Sequence, residues 1–302
     1  MKKIIVRISI LLLTASLLLC CLSAACAEGD NSYFTQDVTN ILIVGQDNDN
    51  IGGLDKAGNA DGQIILSINK KTGQIILSSI ARDTFLMSTN DKTGTKATLI
   101  YHDFGIETLI DAIEVSLDIP IDNYVIFNYL SVMDLVDALG GVDADMYAAE
   151  IYTANGKIRQ TNRDLLLLPE DDGLIYPEED GLFHLTGKQA TGYMRVRLSD
   201  HTRDDFGRTE RERGVIIGLK DAMFSAAPEK LSELLVELLP NIRTDFSLEE
   251  MLEIISTLNS VSDYQIVSQR VPIDGSYSGS EGFTHMEFDV NRAFLKQTIY
   301  GN

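Results

Sequence analysis

Gln63-Ile-Ile-Leu-Ser-Ile-Asn-Lys-Lys-Thr-Gly-Gln-Ile-Ile-Leu-Ser-Ser-Ile80 is the stretch on which the fold turns. Its two halves, Gln63–Asn69 and Gln74–Ile80, are rich in β-branched side chains, which pack well on a pleated surface. Lys70-Lys71-Thr72-Gly73 joins them with the glycine that a tight hairpin turn uses. Neither half alternates cleanly between apolar and polar residues, so both are expected to be buried on two faces.

Working outward, Asn40-Ile-Leu-Ile-Val44 is another short apolar run, ending in Gly45-Gln46-Asp47. It reads as a buried strand with a functional loop at its end. Asn48–Asp61 is rich in Gly, Asn and Asp and reads as loop. Ala81-Arg82-Asp83-Thr84 closes the second hairpin strand. Downstream, Gly105–Leu117 has helical periodicity and stops before Pro120, Tyr124–Phe127 is strand-like, and Tyr129–Leu139 is a helix capped by Gly140-Gly141. Tyr152–Gly181 looks like an irregular acidic arm; the run Leu165–Leu168 inside it is expected to pack on the body or touch a membrane. A short helix begins at Thr186. Lys230–Leu239 and Leu248–Leu258 are helical, the latter with a Ser247/Glu250 capping box. Tyr264–Val271 is a late strand, and the chain ends in a short helix. Alternating helices and strands, with hairpins among the crossovers, predict one α/β domain with a central mixed sheet covered by helices.

The chain has 302 residues and a formal net charge of -20. Such a surface argues against nucleic acid as a partner, since phosphate backbones need broad basic areas. Yet Arg195, Arg197, Arg203, Arg208, Arg211 and Arg213 crowd one short window. Guanidinium groups match phosphate oxygens two at a time, and a small basic pocket in an acidic shell suits a phosphorylated ligand. Arg195 and Arg197 alternate with Met194, Val196 and Leu198, so an extended segment would point both to one face. Arg208 and Arg211 fall in the first turn of a helix whose apolar stripe includes Val215, Ile216, Leu219 and Met223. An exposed arginine–carboxylate face, with Asp204, Asp205, Glu210 and Glu212 as partners, is the competing reading.

Lys2, Lys3 and Arg7 precede a run without charge from Ile8 to Ala27. It reads as an export signal or as an uncleaved single-pass anchor, leaving the body outside the cytoplasmic membrane either way. Residues 1–27 are therefore set apart, with 28–38 as a tether, 39–275 as the folded domain and 276–302 as a tail. Cys20, Cys21 and Cys26 are the only cysteines, which excludes disulfides, thiol nucleophiles and cysteine metal sites from the body. His102, His184, His201 and His285 have no metal-ligand spacing. No Gly-x-Ser-x-Gly elbow is present, and Gly52-Gly53 lacks the spacing of a dinucleotide loop.

Several segments together resemble the LytR-CpsA-Psr family of bacterial cell-envelope proteins. They are Asn40–Asp47, Ala60-Asp61, Ser79–Thr84, Ile119–Val125, Leu135–Val142, Leu185–Ala190 and Tyr193–Arg197, followed by Asp205-Phe-Gly-Arg208 and Arg211. The resemblance implies an α/β/α domain enclosing a long apolar pocket for a polyprenyl chain. It implies an extracytoplasmic phosphotransferase that moves a glycopolymer from an undecaprenyl-pyrophosphate carrier to peptidoglycan, with magnesium or another divalent cation at the pyrophosphate. On the family's pattern Asp61, Arg82 and Arg208 are catalytic. Asp47 and Asp61 hold the metal. Arg195, Arg197 and Arg211, with Asp83 and Lys96, bind substrate. A carrier-pyrophosphate hydrolase, or a binder of polyprenyl phosphate or wall polymer without catalysis, would use the same residues. Three positions depart from the pattern. Asn59 replaces a basic residue, Thr98 an asparagine, and Glu212 a glutamine.

Overall fold

Three strands occupy the middle of the structure: β1 (Val38–Asp47), β2 (Asn59–Asn69) and β3 (Gln74–Ile80). The computed structural model describes residues 37–47, 58–88, 94–197, 205–280 and 282–301. The chain continues through the small hairpin of β4 (Phe85–Leu86) and β5 (Thr95–Lys96) into helices α1 (Ala97–Phe104) and α2 (Ile106–Leu117). Then come β6 (Asn123–Phe127), α3 (Tyr129–Ala138), β7 (Val142–Met146), α4 (Ala148–Thr161), β8 (Gly181–Leu185) and α5 (Gly187–Met194). Four helices and a strand follow: α6 (Asp205–Gly218), α7 (Lys220–Ser225), α8 (Pro228–Leu238), β9 (Ile242–Thr244) and α9 (Leu248–Thr257). Last are β10 (Gln265–Val271), the hairpin β11 (Tyr277–Ser280) and β12 (Phe283–Met286), and α10 (Phe288–Tyr300).

The main sheet has the order β10-β3-β2-β1-β6-β9. β1 is parallel to β6 and β3 to β10, while the other neighbours run antiparallel. The sheet is therefore mixed, and the quoted hairpin lies inside it. Strand alternation sends neighbouring side chains to opposite faces. Leu42, Val44, Ile65 and Ile76 enter a dry core with Leu109, Ile113 and Leu117 of α2 and Leu295 and Ile299 of α10. Ile43, Ile64 and Leu66 take the other face and line a cavity. A second core lies beyond it, where α3, α4, α5, α6 and α8 pack around β7 and β8 through residues such as Val136, Met146, Ile158, Leu185 and Leu219.

Several local expectations need revision. Tyr152–Gly181 is not wholly irregular, because its first part belongs to α4. Ile151, Ala154 and Ile158 form the helix's buried stripe, while the polar residues between them conceal the period. Asn155 ties the remaining arm down, donating to the Ile175 carbonyl at 3.0 Å and accepting from its N–H at 2.8 Å. The four leucines divide: Leu165 and Leu166 are partly buried, Leu167 and Leu168 exposed. Asn59–Asp61 is strand rather than loop; residues 48–57 lie outside those described. Met194 ends a helix and Arg195 caps it, so the arginines that follow are not on an extended strand. The Ser247/Glu250 capping box forms, with bonds of 2.7 and 3.2 Å.

Residues 1–27, the expected membrane segment, lie outside the described residues. Among the described ones no helix is long and apolar enough to cross a membrane. Residues 276–302, set apart above as a tail, supply α10 to the first core. Asn69 donates to the Ile299 carbonyl at 2.7 Å, and Arg292 donates to the carbonyls of Val115 and Ser116 at 2.8 and 2.9 Å. Ile299 is fully buried. Ile299→Ala should therefore cost about 3 kcal/mol by lost transfer energy and a residual cavity, measurable by urea unfolding. A loss below about 1 kcal/mol would mean the helix is only loosely docked.

Candidate functional site

Asp61 owes its position to a break in the β1–β2 ladder. Gly45 faces Gly62, but the next residue, Gln46, faces Ala60, so Asp61 is the extra residue of a β-bulge. A bulge re-aims a side chain and is frequent beside active sites. Asp61 is buried, and cations from distant parts of the chain converge on it. Arg82, just past β3, donates from Nη1 to Oδ1 at 3.0 Å and to Oδ2 at 3.2 Å. Arg197 donates from Nη2 to Oδ2 at 2.8 Å. Arg208 on α6 reaches Oδ2 at 2.9 Å through Nη1 and the Asp61 carbonyl at 2.9 Å through Nη2. The Thr98 hydroxyl adds a bond to Oδ1 at 3.2 Å.

The arginines are not equivalent. The Arg208 side chain is 3% exposed and that of Arg197 is 47% exposed, so Arg208 is the buried member and Arg197 the solvent-facing one. Arg195 donates to the Thr161 hydroxyl at 2.9 Å and lies 4.6 Å over the Tyr129 ring. Burial and the carboxylates of Asp47, Asp61 and Glu212 push the Tyr129 hydroxyl pKa up, with Arg195 opposing. Asp47 ends β1 directly across from Asn59. Glu212 lies one helical turn beyond Arg208 and turns toward β2. A Cβ on Gly62 would sit 3.0 Å from Glu212 Oε2, so a side chain there would crowd the carboxyl group. That oxygen is buried without a hydrogen-bond partner, while Oε1 lies 3.6 Å from Arg208 Nε. Burial raises the Glu212 pKa to about 7, with Asp61 adding to the rise and Arg208, Arg213 and Arg197 opposing it.

These groups sit at one end of a cavity of about 410 Å3 between the second face of the sheet and helices α3 and α6. Asp47, Asp61, Arg195, Arg197, Arg208 and Glu212 form its polar part. Ile43, Ile64, Leu66, Phe127, Val132, Leu135, Val215, Leu219 and Met223 form an apolar remainder. An anionic head and an apolar tail would both be accommodated.

Arg82, Arg197 and Arg208 thus meet at Asp61, and Asp47 and Arg195 share their cavity. Arg211 does not join them. It is buried, donating to Glu150 Oε1 from Nη2 at 2.7 Å and from Nε at 3.0 Å, and to the Val196 carbonyl at 3.1 Å. Three helical positions separate the two fates, because Arg211 lies in the second turn of α6 and faces α4. Asp83 and Lys96 are one ion pair further out: Asp83 Oδ1 is 3.7 Å from Arg82 Nε and 3.1 Å from Lys96 Nζ. Thr98 and Glu212, neither of them among the expected site residues, both belong to the site. Lys157 and Gln160 of α4 also line the cavity. Only the stripe of Ile151, Ala154 and Ile158 could have placed that helix beforehand.

The model of the LytR_cpsA_psr family matches residues 24–298. TagU of Halalkalibacterium halodurans, named a polyisoprenyl-teichoic acid–peptidoglycan teichoic acid transferase, is 32% identical over 248 residues, 80% of this chain and 73% of that one. TagV of Bacillus subtilis, of the same description, is 25% identical over 246 residues, 80% of this chain and 59% of the relative. The crystal structure of B. subtilis TagV superposes with a TM-score of 0.64 at 22% identity, covering 88% of this chain and 99% of that one. TagT bound to LI-WTA gives a TM-score of 0.65 at 18% identity, over 91% and 97%. At such identities the structures speak for the fold alone.

Two outcomes follow from the charges. The Glu212 carboxyl holds its proton to about pH 7 in the fold, against the ordinary 4.5. The native state therefore binds a proton that the unfolded chain has released, and stability should fall as pH rises from about 4.5 to about 7, by roughly 3 kcal/mol. Glu212→Gln should flatten that decline in denaturation curves taken at several pH values; an unaltered slope would mean the carboxyl is ionised throughout. Asp61→Asn leaves three guanidiniums without their counter-ion, a loss of about 3 kcal/mol for a buried pair. Inorganic pyrophosphate should raise the thermal midpoint more in this variant than in the wild type. An equal response would show that no anion takes the carboxylate's place.

Proposed function

The chain belongs to the LytR_cpsA_psr family, and from that premise we propose that it is an extracytoplasmic phosphotransferase. Its substrate would be a glycopolymer linked to an undecaprenyl-pyrophosphate carrier, and its acceptor peptidoglycan or a related wall polymer. The observation that carries this reading is the convergence of Arg82, Arg197 and Arg208 on Asp61 at the polar end of an apolar cavity. A polyprenyl diphosphate has that same division between charge and hydrocarbon. TagU and TagV, as polyisoprenyl-teichoic acid–peptidoglycan teichoic acid transferases, are named for the same classes of donor and acceptor. Under this reading residues 1–27 hold the domain at the outer surface of the cytoplasmic membrane, as an anchor or before cleavage.

Phosphoryl transfer asks the protein for positioned charge and an oriented nucleophile. Arg208, fixed by burial, and Arg82 would hold the diphosphate oxygens, with Arg195 beside them. Arg197 would close over the group from its exposed side. The acceptor hydroxyl attacks the phosphorus that carries the glycan. The bond from that phosphorus to the bridging oxygen breaks, and the carrier leaves as its monophosphate. The acceptor's proton would pass to one of the two carboxylates that line the cavity, Asp47 or Asp61.

Among the described residues no three His, Cys, Asp or Glu side chains form a metal cluster. Asp47 and Asp61 would be the protein's ligands to a cation that draws its other ligands from diphosphate oxygens and water, the usual habit of magnesium. Magnesium held there would neutralise charge on the departing phosphate.

A short polyprenyl-pyrophosphate saccharide should be transferred only when peptidoglycan is supplied. Release of sugar phosphate without acceptor would make the protein a hydrolase, and binding with no turnover would make it a carrier protein. Arg208→Ala should lower kcat/KM by about 10²–10³, the usual cost of removing one positioned donor. Magnesium should raise the thermal midpoint with pyrophosphate present and leave it unchanged alone; a rise with magnesium alone would place a complete metal site within the protein.

A further inference from the structure

An ion-pair chain leads out of the site to a group of aromatic side chains that the cavity does not use. Arg82 bonds Asp61, Asp83 Oδ1 lies 3.7 Å from Arg82 Nε, and Lys96 Nζ lies 3.1 Å from that oxygen. Lys96 in turn sits 5.4 Å from the centre of the Phe283 ring. Phe283 stacks on His285 with centroids 5.8 Å apart and an interplanar angle of 30°. Phe85 meets Phe283 edge-on at 6.3 Å and tilts against His285 at 5.5 Å. The hairpins β4–β5 and β11–β12 carry these residues. They are locked together by a bridge between Thr84 and Thr284 and by a 2.9 Å bond from the Thr284 N–H to the Asp83 carbonyl. His285 is exposed, and Phe85, Phe283 and Lys96 are partly so.

Partly exposed aromatic rings beside a paired cation and carboxylate are suited to the edge of a pyranose. The rings offer a π surface to its C–H edges, while lysine and aspartate bond its hydroxyl, amide or carboxylate groups. The polyprenyl chain of the proposed donor would fill the apolar cavity, so an acceptor needs another approach to Asp61. The aromatic group provides one, three ion pairs away from that carboxylate and outside the cavity lining. We infer that Phe85, Phe283 and His285, with Lys96 and Asp83, form the acceptor subsite and take an N-acetylhexosamine saccharide of the wall. This assignment rests on the transfer reading above.

Phe283→Ala should raise KM for a soluble peptidoglycan fragment about tenfold, the scale of one lost aromatic contact. Carrier affinity and thermal midpoint should stay at wild-type values, and Phe283→Tyr should restore the acceptor KM. An unchanged acceptor KM in a folded Phe283→Ala protein overturns the assignment. Should that variant unfold, His285→Ala at the exposed ring replaces it, with a severalfold rise in acceptor KM expected and none overturning it. Titrating the wild-type protein with the disaccharide-peptide fragment should also move the His285 imidazole signals in an NMR spectrum. Saturable binding that leaves those signals still would put the acceptor elsewhere. Because this titration needs no turnover, it reads the subsite even if the transfer assay fails.

Discussion

The structure around the cavity depends on one buried carboxylate. Three guanidiniums held within hydrogen-bonding distance of a point would repel one another by several kcal/mol in a poorly solvated setting. Asp61 makes the arrangement stable, and the bulge that exposes it to all three is set by the unequal pairing of Gly45-Gln46 against Ala60-Asp61-Gly62. Asp61 thus stands where a diphosphate would supply the same negative charge. An anion that takes over part of this coordination meets arginines already oriented, which lowers the entropy lost on binding.

The two faces of the sheet solve different problems. The first is sealed by α1, α2 and α10 into a dry core of fully buried Leu42, Ile65, Leu109 and Ile299. The second meets α3 and α6 without full contact, leaving Ile43 and Leu66 partly exposed to the cavity between. Protein interiors ordinarily fill such space, and a chain that maintains an apolar cavity gives up stability there. Glu212 adds to the sacrifice, since burial opposes its ionisation and its Oε2 has no partner. Strain of this kind gathers where function requires it. The second core, built by α4, α5, α6 and α8 around β7 and β8, holds the outer wall in place. Arg211 serves that wall, joining α6 to Glu150 of α4 and to the turn carrying Val196.

Short-range regularities were the legible part of the chain. The hairpin 63–80, the apolar run of β1, the stripe of α2 and the capping box at Ser247 each have a local cause, and each is found where the residues indicate. The segment from Ala148 to Thr161 was harder to read. Its buried stripe is narrow, and Tyr152, Asn155 and Lys157 between the apolar positions imitate a loop. Arg195 and Arg197 both reach the cavity, although by a helix-ending turn that buries Val196 and not by strand alternation.

By itself the sequence determined the class of fold, the family and the set of charged side chains available for an anion. Residue type and spacing of two or three to four positions carry that information directly. Tertiary structure decided which of those charges meet. Arg208 and Arg211 are indistinguishable by type and only three positions apart, yet one faces Asp61 and the other Glu150, because a helix turns about 100° per residue between two walls. The bulge at Asp61, the hydroxyl of Thr98 and the burial of Glu212 likewise depend on contacts between segments tens to more than a hundred residues apart. Long-range packing fixes such contacts, and no local pattern encodes them.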